Sequence, residues 1–254
     1  MALSTDKILN ATVKLALSSL APQTGSLNHL DIGSGTGALI SLLKEKCSHI
    51  QSTACDYTDE LMKIPGQKVD IADLNYQPLP YNANYFDLVT CTEVIEHLEN
   101  HRKLIREIFF VTKPGGTVIF TTPNVLSIKS RIRYLFFGFA NLFGPLPDST
   151  TEKFSTVGHI TPVSFFYLSH ALAETGFSDI KLEIDKPQRS TIPNLVLLWP
   201  IIAFFGYFAK RKEIRKFKTI DHSNQAIIEK INNIKVLLGR TIIVAAKKPV
   251  ITIQ

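Results

Sequence analysis

Residues 29–39, His29-Leu30-Asp31-Ile32-Gly33-Ser34-Gly35-Thr36-Gly37-Ala38-Leu39, set three glycines among small polar residues directly after a short apolar run. The next stretch, Ala38 to Lys46, spaces its apolar positions as a helix does. The pattern reads as strand, tight turn and helix start. Glycine accepts positive φ and lets a ligand approach the backbone, because no Cβ intervenes. A helix N-terminus adds unpaired N–H groups that face such a ligand. Turns of this kind lie at the carboxyl end of a strand, where open α/β sheets bind nucleotide-like molecules.

The loop alone leaves the nucleotide open. Gly33, Gly35 and Ala38 satisfy the G-x-G-x-x-A pattern of NAD and FAD proteins. Two details favour S-adenosylmethionine instead. Asp31 ends the apolar run, where it would repel a pyrophosphate but suit a ligand with an amino group and a sulfonium. Gly37 makes the loop G-x-G-x-G. Asp56, in Thr53-Ala54-Cys55-Asp56-Tyr57, lies about twenty residues further on, where a carboxylate can accept ribose hydroxyls.

Further segments come in order: Asp73-Leu74-Asn75, Pro78-Leu79-Pro80, Tyr85-Phe86-Asp87-Leu88-Val89, Glu93-Val94-Ile95-Glu96-His97-Leu98, Lys113-Pro114-Gly115-Gly116-Thr117 and Thr121-Thr122-Pro123-Asn124. With the loop and Asp56, they make the chain resemble the class I S-adenosylmethionine-dependent methyltransferases. The likeness is close from about residue 28 to 124 and looser to about 184. It implies an α/β, Rossmann-like, doubly wound seven-stranded sheet in the order 3-2-1-4-5-7-6, with strand 7 antiparallel. It also implies S-adenosyl-L-methionine as methyl donor, held by Asp31, Gly33, Ser34, Gly35, Gly37, Asp56, Tyr57, Asp73, Leu74, Glu93 and Val94.

Strand and helix signals alternate as that fold requires. Strands are expected at 28–32, 50–56, 68–71, 85–92, 117–122, 177–184 and 241–247. Helices are expected at 5–20, 36–47, 58–64, 98–112 and 162–175, the last opening near Pro162 and stopping at Gly176. The segment 125–143 is apolar and aromatic, and 144–158 reads as a polar loop. The 254 residues read as one domain. Cys47, Cys55 and Cys91 are too scattered for a disulfide framework or zinc site and suit a reducing compartment. The first residues form an amphipathic pattern capped by Ser4 or Thr5, without a signal-type apolar core, so a cytoplasmic location is expected.

The net charge of +6 is unevenly placed. Residues 185–254 hold 13 Lys/Arg against 4 Asp/Glu, leaving 15 against 18 for the rest of the 28 and 22. No charge occurs from Ser190 to Ala209, and six Lys/Arg then fall between Lys210 and Lys218. Family members join strands six and seven by a short connection, so 185–239 is an insertion. Three accounts of it stand open: interfacial or re-entrant contact with an anionic membrane, a buried or subunit-contact helix, and a membrane span. Pro200 and Asn194 weigh against the span. Lys129, Arg131 and Arg133 would extend the basic face. No nucleic-acid partner is expected, since the basic run adjoins aliphatic bulk rather than interleaved aromatics.

Methyl transfer from a sulfonium is an in-line displacement that needs alignment above all. An oxygen acceptor also needs a base or a metal. His97, after strand four, is the first candidate base, against a reading as a packing or capping histidine. His159 is the second, because Gly158-His159-Ile160-Thr161-Pro162 resembles a segment over the acceptor pocket of glycan- and quinone-modifying relatives. Glu93-x-x-Glu96-His97 is similar to a divalent-ion segment of ubiquinone-pathway O-methyltransferases. Many relatives carry a like segment without metal, so no metal is expected and the two glutamates read as a solvated helix start. Asn124 could touch substrate or fix its turn. The resemblance points to O-methylation of a small or lipid-linked molecule of saccharide or quinone type. The rival readings are a protein or nucleic-acid methyltransferase and a non-catalytic membrane-associated binding subunit.

Overall fold

The computed structural model describes residues 4–20, 25–146 and 158–250. The expected loop at 144–158 therefore lies mostly outside the described residues.

Seven strands form one sheet: β1 (Leu27–Ile32), β2 (Ile50–Asp56), β3 (Val69–Ile71), β4 (Phe86–Thr92), β5 (Thr112–Pro123), β6 (Ser178–Ile184) and β7 (Thr241–Lys247). Their order is β3-β2-β1-β4-β5-β7-β6. β7 runs antiparallel to both of its neighbours. The order and the reversed strand match the expected fold.

Side chains alternate across the sheet, so each strand feeds two cores. One face carries Leu30, Ile32, Phe86 and Phe120 against α3 (His101–Val111) and α5 (Phe165–Thr175), which contribute Leu104, Ile108, Phe165 and Leu172. The other carries Leu27, Leu88, Ile119 and Ile243 against α1 (Asp6–Ser19) and α2 (Ala38–Lys46). The central strands are covered on both faces, as a parallel sheet requires.

Two expected helix boundaries are corrected. Residues 58–64 form turns, not a helix. The Lys63 N–H donates to the Thr36 carbonyl at 3.2 Å, which draws this segment onto the glycine loop and overrides its weak local preference. α5 starts at Phe165 rather than near Pro162, because the Ser164 side chain accepts from the Tyr167 N–H and caps the helix there.

After β5, α4 (Ile128–Phe137) is capped by Ser127. Its arginines do not extend a basic surface. Arg131 donates to the Leu126 carbonyl at 2.8 Å and to Asn232 Oδ1 at 2.7 Å. Arg133 donates to the carbonyls of Ala140 and Phe143. Lys129 is exposed.

Between β6 and β7 come α6 (Ile192–Lys212), α7 (Gln225–Ile228) and α8 (Ile234–Leu238). α6 has 21 residues, or about 30 Å of helix. The helical stretch Arg189–Phe217 holds an 18-residue window with a mean hydropathy of 1.8 and is by length and composition able to cross a membrane. The topology weighs against that crossing. β6 and β7 are paired neighbours, so one crossing between them would put them on opposite sides of the bilayer. The return segment 218–233 carries Asp221, Glu229 and Lys230 and cannot supply a second crossing. α6 instead lies along the protein on a half-buried stripe of Leu195, Leu198, Ile202 and Gly206. Val196, Leu197, Phe204, Phe205 and Phe208 face outward, each more than half exposed.

Two glycines with the same backbone geometry isolate the packing at the loop. A Cβ on Gly37 (φ +78°) would sit 2.7 Å from Ile64 and 2.8 Å from the Met62 sulfur, whereas one on Gly66 (φ +75°) would meet open space. Gly66→Ala is expected to cost about 1–2 kcal/mol from the left-handed backbone alone. Gly37→Ala should cost about 1–3 kcal/mol more through overpacking. Urea midpoints measure the difference, and equal destabilisation by the two variants would contradict this packing.

Candidate active site

The carboxyl ends of β1, β2 and β4 open into a cleft of about 1130 Å³, counted to its open mouth. Parallel registry brings these ends level: Ile32 lies opposite Cys55 on one side and Cys91 on the other. Ten of the eleven residues proposed for the cofactor line this cleft: Asp31, Gly33, Ser34, Gly35, Asp56, Tyr57, Asp73, Leu74, Glu93 and Val94. Gly37 does not. It forms the left-handed N-cap of α2, where it makes room for Met62 and Ile64. The cleft also takes in Asn75, Thr92 and, from the N-terminal end of the chain, Ser4 and Leu9. Asn75 and Thr92 adjoin residues already singled out, whereas nothing in the pattern of α1 marks its approach.

The glycine loop is fastened to the end of β2. The N–H groups of Gly33 and Ser34 donate to the Cys55 carbonyl at 2.8 and 3.2 Å. The Gly35 N–H donates to Asp56 Oδ2 at 2.7 Å, and the Tyr57 N–H to Asp56 Oδ1 at 2.7 Å. Burial pushes the Asp56 carboxyl up, and these backbone donors pull it back. Each oxygen keeps lone-pair capacity for a further donor such as a ribose hydroxyl.

Asp31 is 2% exposed and accepts from the Thr90 hydroxyl at 2.7 Å. Burial pushes its carboxyl up to about 7, partly countered by that hydrogen bond. Glu93 takes a positive φ of 55° and accepts from the Thr121 hydroxyl at 3.0 Å. Burial raises it, too, to about 7. A cleft walled by costly buried carboxyls favours a ligand that brings cationic or donor groups.

His97 lines the cleft, and His159 stands behind it. The rings meet edge to face, centroids 4.9 Å apart, and Phe143 packs against His159 at 5.2 Å. His159 is held there because the N–H groups of Ile160 and Thr161 both donate to the Glu96 carbonyl at 2.9 Å. Burial lowers the pKa of both imidazoles, so both are neutral near pH 7. His97 Nδ1 lies 2.8 Å from the Gly158 carbonyl, which can only accept. The proton therefore sits on Nδ1, and Nε2 is the basic nitrogen.

The structure revises two further readings. Glu96 is not on a solvated face: it is fully buried and neither oxygen has a partner at full hydrogen-bond geometry among the described residues. Burial and the neighbouring Glu93 hold it well above the carboxylate range, while the Thr122 hydroxyl eases its charged form. Ligand atoms of Glu96, His97 and His159 lie within 4.8 Å of one another. Asn124 fixes its turn. Its Nδ2 donates to the carbonyls of Val236 and Gly239 at 2.6 and 2.9 Å, and its Oδ1 accepts from the Leu126 N–H.

Sheet order, reversed seventh strand and acid-lined glycine cleft together define a class I methyltransferase architecture. Residues 30–120 match the methyltransferase domain family. A ubiquinone biosynthesis O-methyltransferase of Coxiella burnetii is 30% identical over 130 residues, covering 48% of this chain and 54% of that protein. The chain thus spans about half the length of that curated relative. A demethylmenaquinone methyltransferase of Listeria monocytogenes is 25% identical over 170 residues, covering 61% of this chain and 71% of that protein. In fold, a SAM-dependent methyltransferase from Archaeoglobus fulgidus superposes with a TM-score of 0.59 at 19% identity, over 96% of this chain and 95% of that one. Residues 30–120 thus carry a methyltransferase domain, and the chain has the fold of the S-adenosylmethionine-dependent methyltransferases.

The buried carboxyl of Asp31 makes a pH-dependent prediction. A ligand ammonium needs the ionised form, which is lost as pH falls through about 7. Affinity for S-adenosylhomocysteine should therefore fall about tenfold per pH unit below that midpoint. Calorimetry between pH 5.5 and 8.5 measures this. Asp31→Asn should bind weakly and lose this limb, and a limb of unchanged size in the variant would remove Asp31 from ammonium binding.

Proposed function

We propose that this chain transfers the methyl group of S-adenosyl-L-methionine to an oxygen of a small or lipid-linked acceptor, of quinone or saccharide type. We place the reaction at the anionic, cytoplasmic face of a membrane. The observation that carries this reading is the pair of neutral histidines at the edge of the acid-lined nucleotide cleft. Asp31 takes the donor's ammonium, Asp56 its ribose hydroxyls, and Asp73 with Leu74 flanks its adenine. Gly33, Ser34 and Gly35 bring the backbone against the donor, and Tyr57, Glu93 and Val94 complete its walls. The sulfonium is already activated, so alignment of the acceptor oxygen contributes most of the rate. His97 Nε2 removes the acceptor proton, and His159 supports its ring. The names of the Coxiella and Listeria relatives favour a quinone-type acceptor.

The helices that leave β5 and β6 stand at the same edge of the sheet as the cleft and would flank an acceptor on that side. α4 leaves the carboxyl end of β5 with Tyr134, Leu135, Phe136 and Phe137 more than half exposed. α6 leaves the same edge of the sheet after β6 and ends in Lys210, Arg211 and Lys212, with Arg215, Lys216 and Lys218 directly after it. Lys212 and Lys216 sit over the Phe217 ring at 5.2 and 5.7 Å, and Arg211 over Tyr207 at 5.4 Å. Apolar bulk beside cations on aromatic rings suits the headgroup region of an anionic bilayer, at about 1 kcal/mol per cation.

A second reading is favoured by the cluster of Glu96, His97 and His159. One carboxylate and two imidazoles suit a divalent ion, and the unpartnered Glu96 oxygens fit a cation. Such an ion would act as a Lewis acid on the acceptor oxygen.

Incubating the protein with methyl-labelled donor and lipid or soluble extracts tests the reaction. His97→Ala should lose turnover at least about hundredfold with donor affinity little changed. Wild-type turnover in both His97→Ala and His159→Ala would refute a histidine base and favour an amine or carbon acceptor. Loss of turnover with chelator, restored by magnesium, would favour the metal reading over the metal-free one.

Vesicle flotation tests the membrane. The protein should float with phosphatidylglycerol vesicles at low salt and release as salt rises. A variant with Lys210, Arg211 and Lys212 changed to Glu should stay at the bottom. Equal flotation of the two would refute the electrostatic part of the reading.

A further inference from the structure

His29 is a histidine on the central strand, fully buried in the middle of the sheet. It lies on the side of β1 that also carries Asp31, because alternate residues share a face. Registry sets Ser52 of β2 opposite His29 and Thr90 of β4 opposite Asp31. The four side chains form a continuous chain of hydrogen bonds. His29 Nδ1 is 2.9 Å from Ser52 Oγ, His29 Nε2 is 2.8 Å from Thr90 Oγ1, and Thr90 Oγ1 is 2.7 Å from Asp31 Oδ1.

The direction of each bond comes from the donor inventory. An ionised Asp31 only accepts, so the Thr90 hydroxyl hydrogen points to it. Thr90 then offers His29 only lone pairs, so Nε2 carries the imidazole proton. His29 is neutral, its pKa lowered by burial to about 3, so Nδ1 is bare and accepts from the Ser52 hydroxyl. The alternative acceptor for Thr90 is the Leu30 carbonyl, at the longer distance of 3.4 Å. The His29 N–H occupies a Thr90 lone pair and turns its hydroxyl toward Asp31.

We propose that His29 and Thr90 are positioning residues for the cofactor, acting through a one-way relay from Ser52 through His29 and Thr90 to Asp31. The relay holds Asp31 as an oriented carboxylate facing the donor's ammonium. The inference rests on the proposed role of Asp31 in the cofactor site. The other titratable groups acting on Asp31 do not supply this. Asp56 opposes its charge, and the buried thiols of Cys55 and Cys91 are neutral, held well above their ordinary range.

The test is a carbon-13 NMR titration of the Asp31 carboxyl, with S-adenosylhomocysteine calorimetry on the same proteins. Thr90→Val keeps the shape and removes the hydroxyl. It should raise the Asp31 midpoint by about one pH unit or more and weaken ligand binding near neutral pH by about tenfold or more. Thr90→Ser should restore both, separating the relay from a general packing defect. An unchanged midpoint in a folded Thr90→Val protein would overturn the relay while leaving the cofactor site intact. A shifted midpoint in a protein whose wild type does not bind S-adenosylhomocysteine would overturn the cofactor role itself. Nitrogen-15 NMR of the wild-type protein adds a measurement that needs no variant. His29 should be the Nε2–H tautomer at pH 8, and the Nδ1–H tautomer would contradict the relay.

Discussion

The structure depends first on how the glycine loop is tied to β2. Three loop N–H groups are committed to the Cys55 carbonyl and the Asp56 carboxylate. A loop with three glycines has large conformational freedom to lose, and these bonds select one geometry. That geometry sends the chain into α2 and exposes Asp31 and Asp56 side by side at the cleft. Both are buried carboxyls whose charge is poorly solvated, and this cost is what a cationic, hydroxyl-bearing ligand would relieve. The affinity of the cleft and the strain of building it have the same origin.

The sheet order divides the carboxyl edge into two halves. β1, β2 and β4 open into the cleft, while β5 leads into α4 and the helices 192–238 join β6 to β7. Asn124 and Arg131 join these parts. Asn124 binds the backbone within α8 at Val236 and directly after it at Gly239, and Arg131 reaches Asn232. These bonds tie the ends of β5 and α4 to the segment 231–239 that follows α6. Of the two roles open to Asn124 in the sequence, its hydrogen bonds fit the structural one, a link between two segments 112 residues apart.

Much of this was legible in the sequence. The spacing of Asp31, the glycines and Asp56 carried the cleft, and the alternation of apolar runs carried the sheet. What failed had physical reasons. Residues 58–64 have helical composition, but the Thr36 carbonyl captures Lys63 and the segment packs on Gly37. Glu96 reads as a solvated acid because sequence gives no measure of burial four residues beyond a strand. Gly37 fits a ligand motif, yet its missing Cβ serves Met62 and Ile64. The approach of α1 to the cleft left no local mark at all. Hydropathy alone did not say whether the 185–239 insertion crosses a membrane; the pairing of β6 with β7 weighs against a single crossing.

Equilibrium binding of S-adenosylhomocysteine, with NADH as the competitor nucleotide, tests the central claim most directly. Purified protein should bind one equivalent of S-adenosylhomocysteine and ignore NADH. Asp56→Ala, which removes a charge-assisted ribose contact, should weaken binding roughly tenfold to hundredfold. Saturable binding of NADH with no binding of S-adenosylhomocysteine would contradict the account.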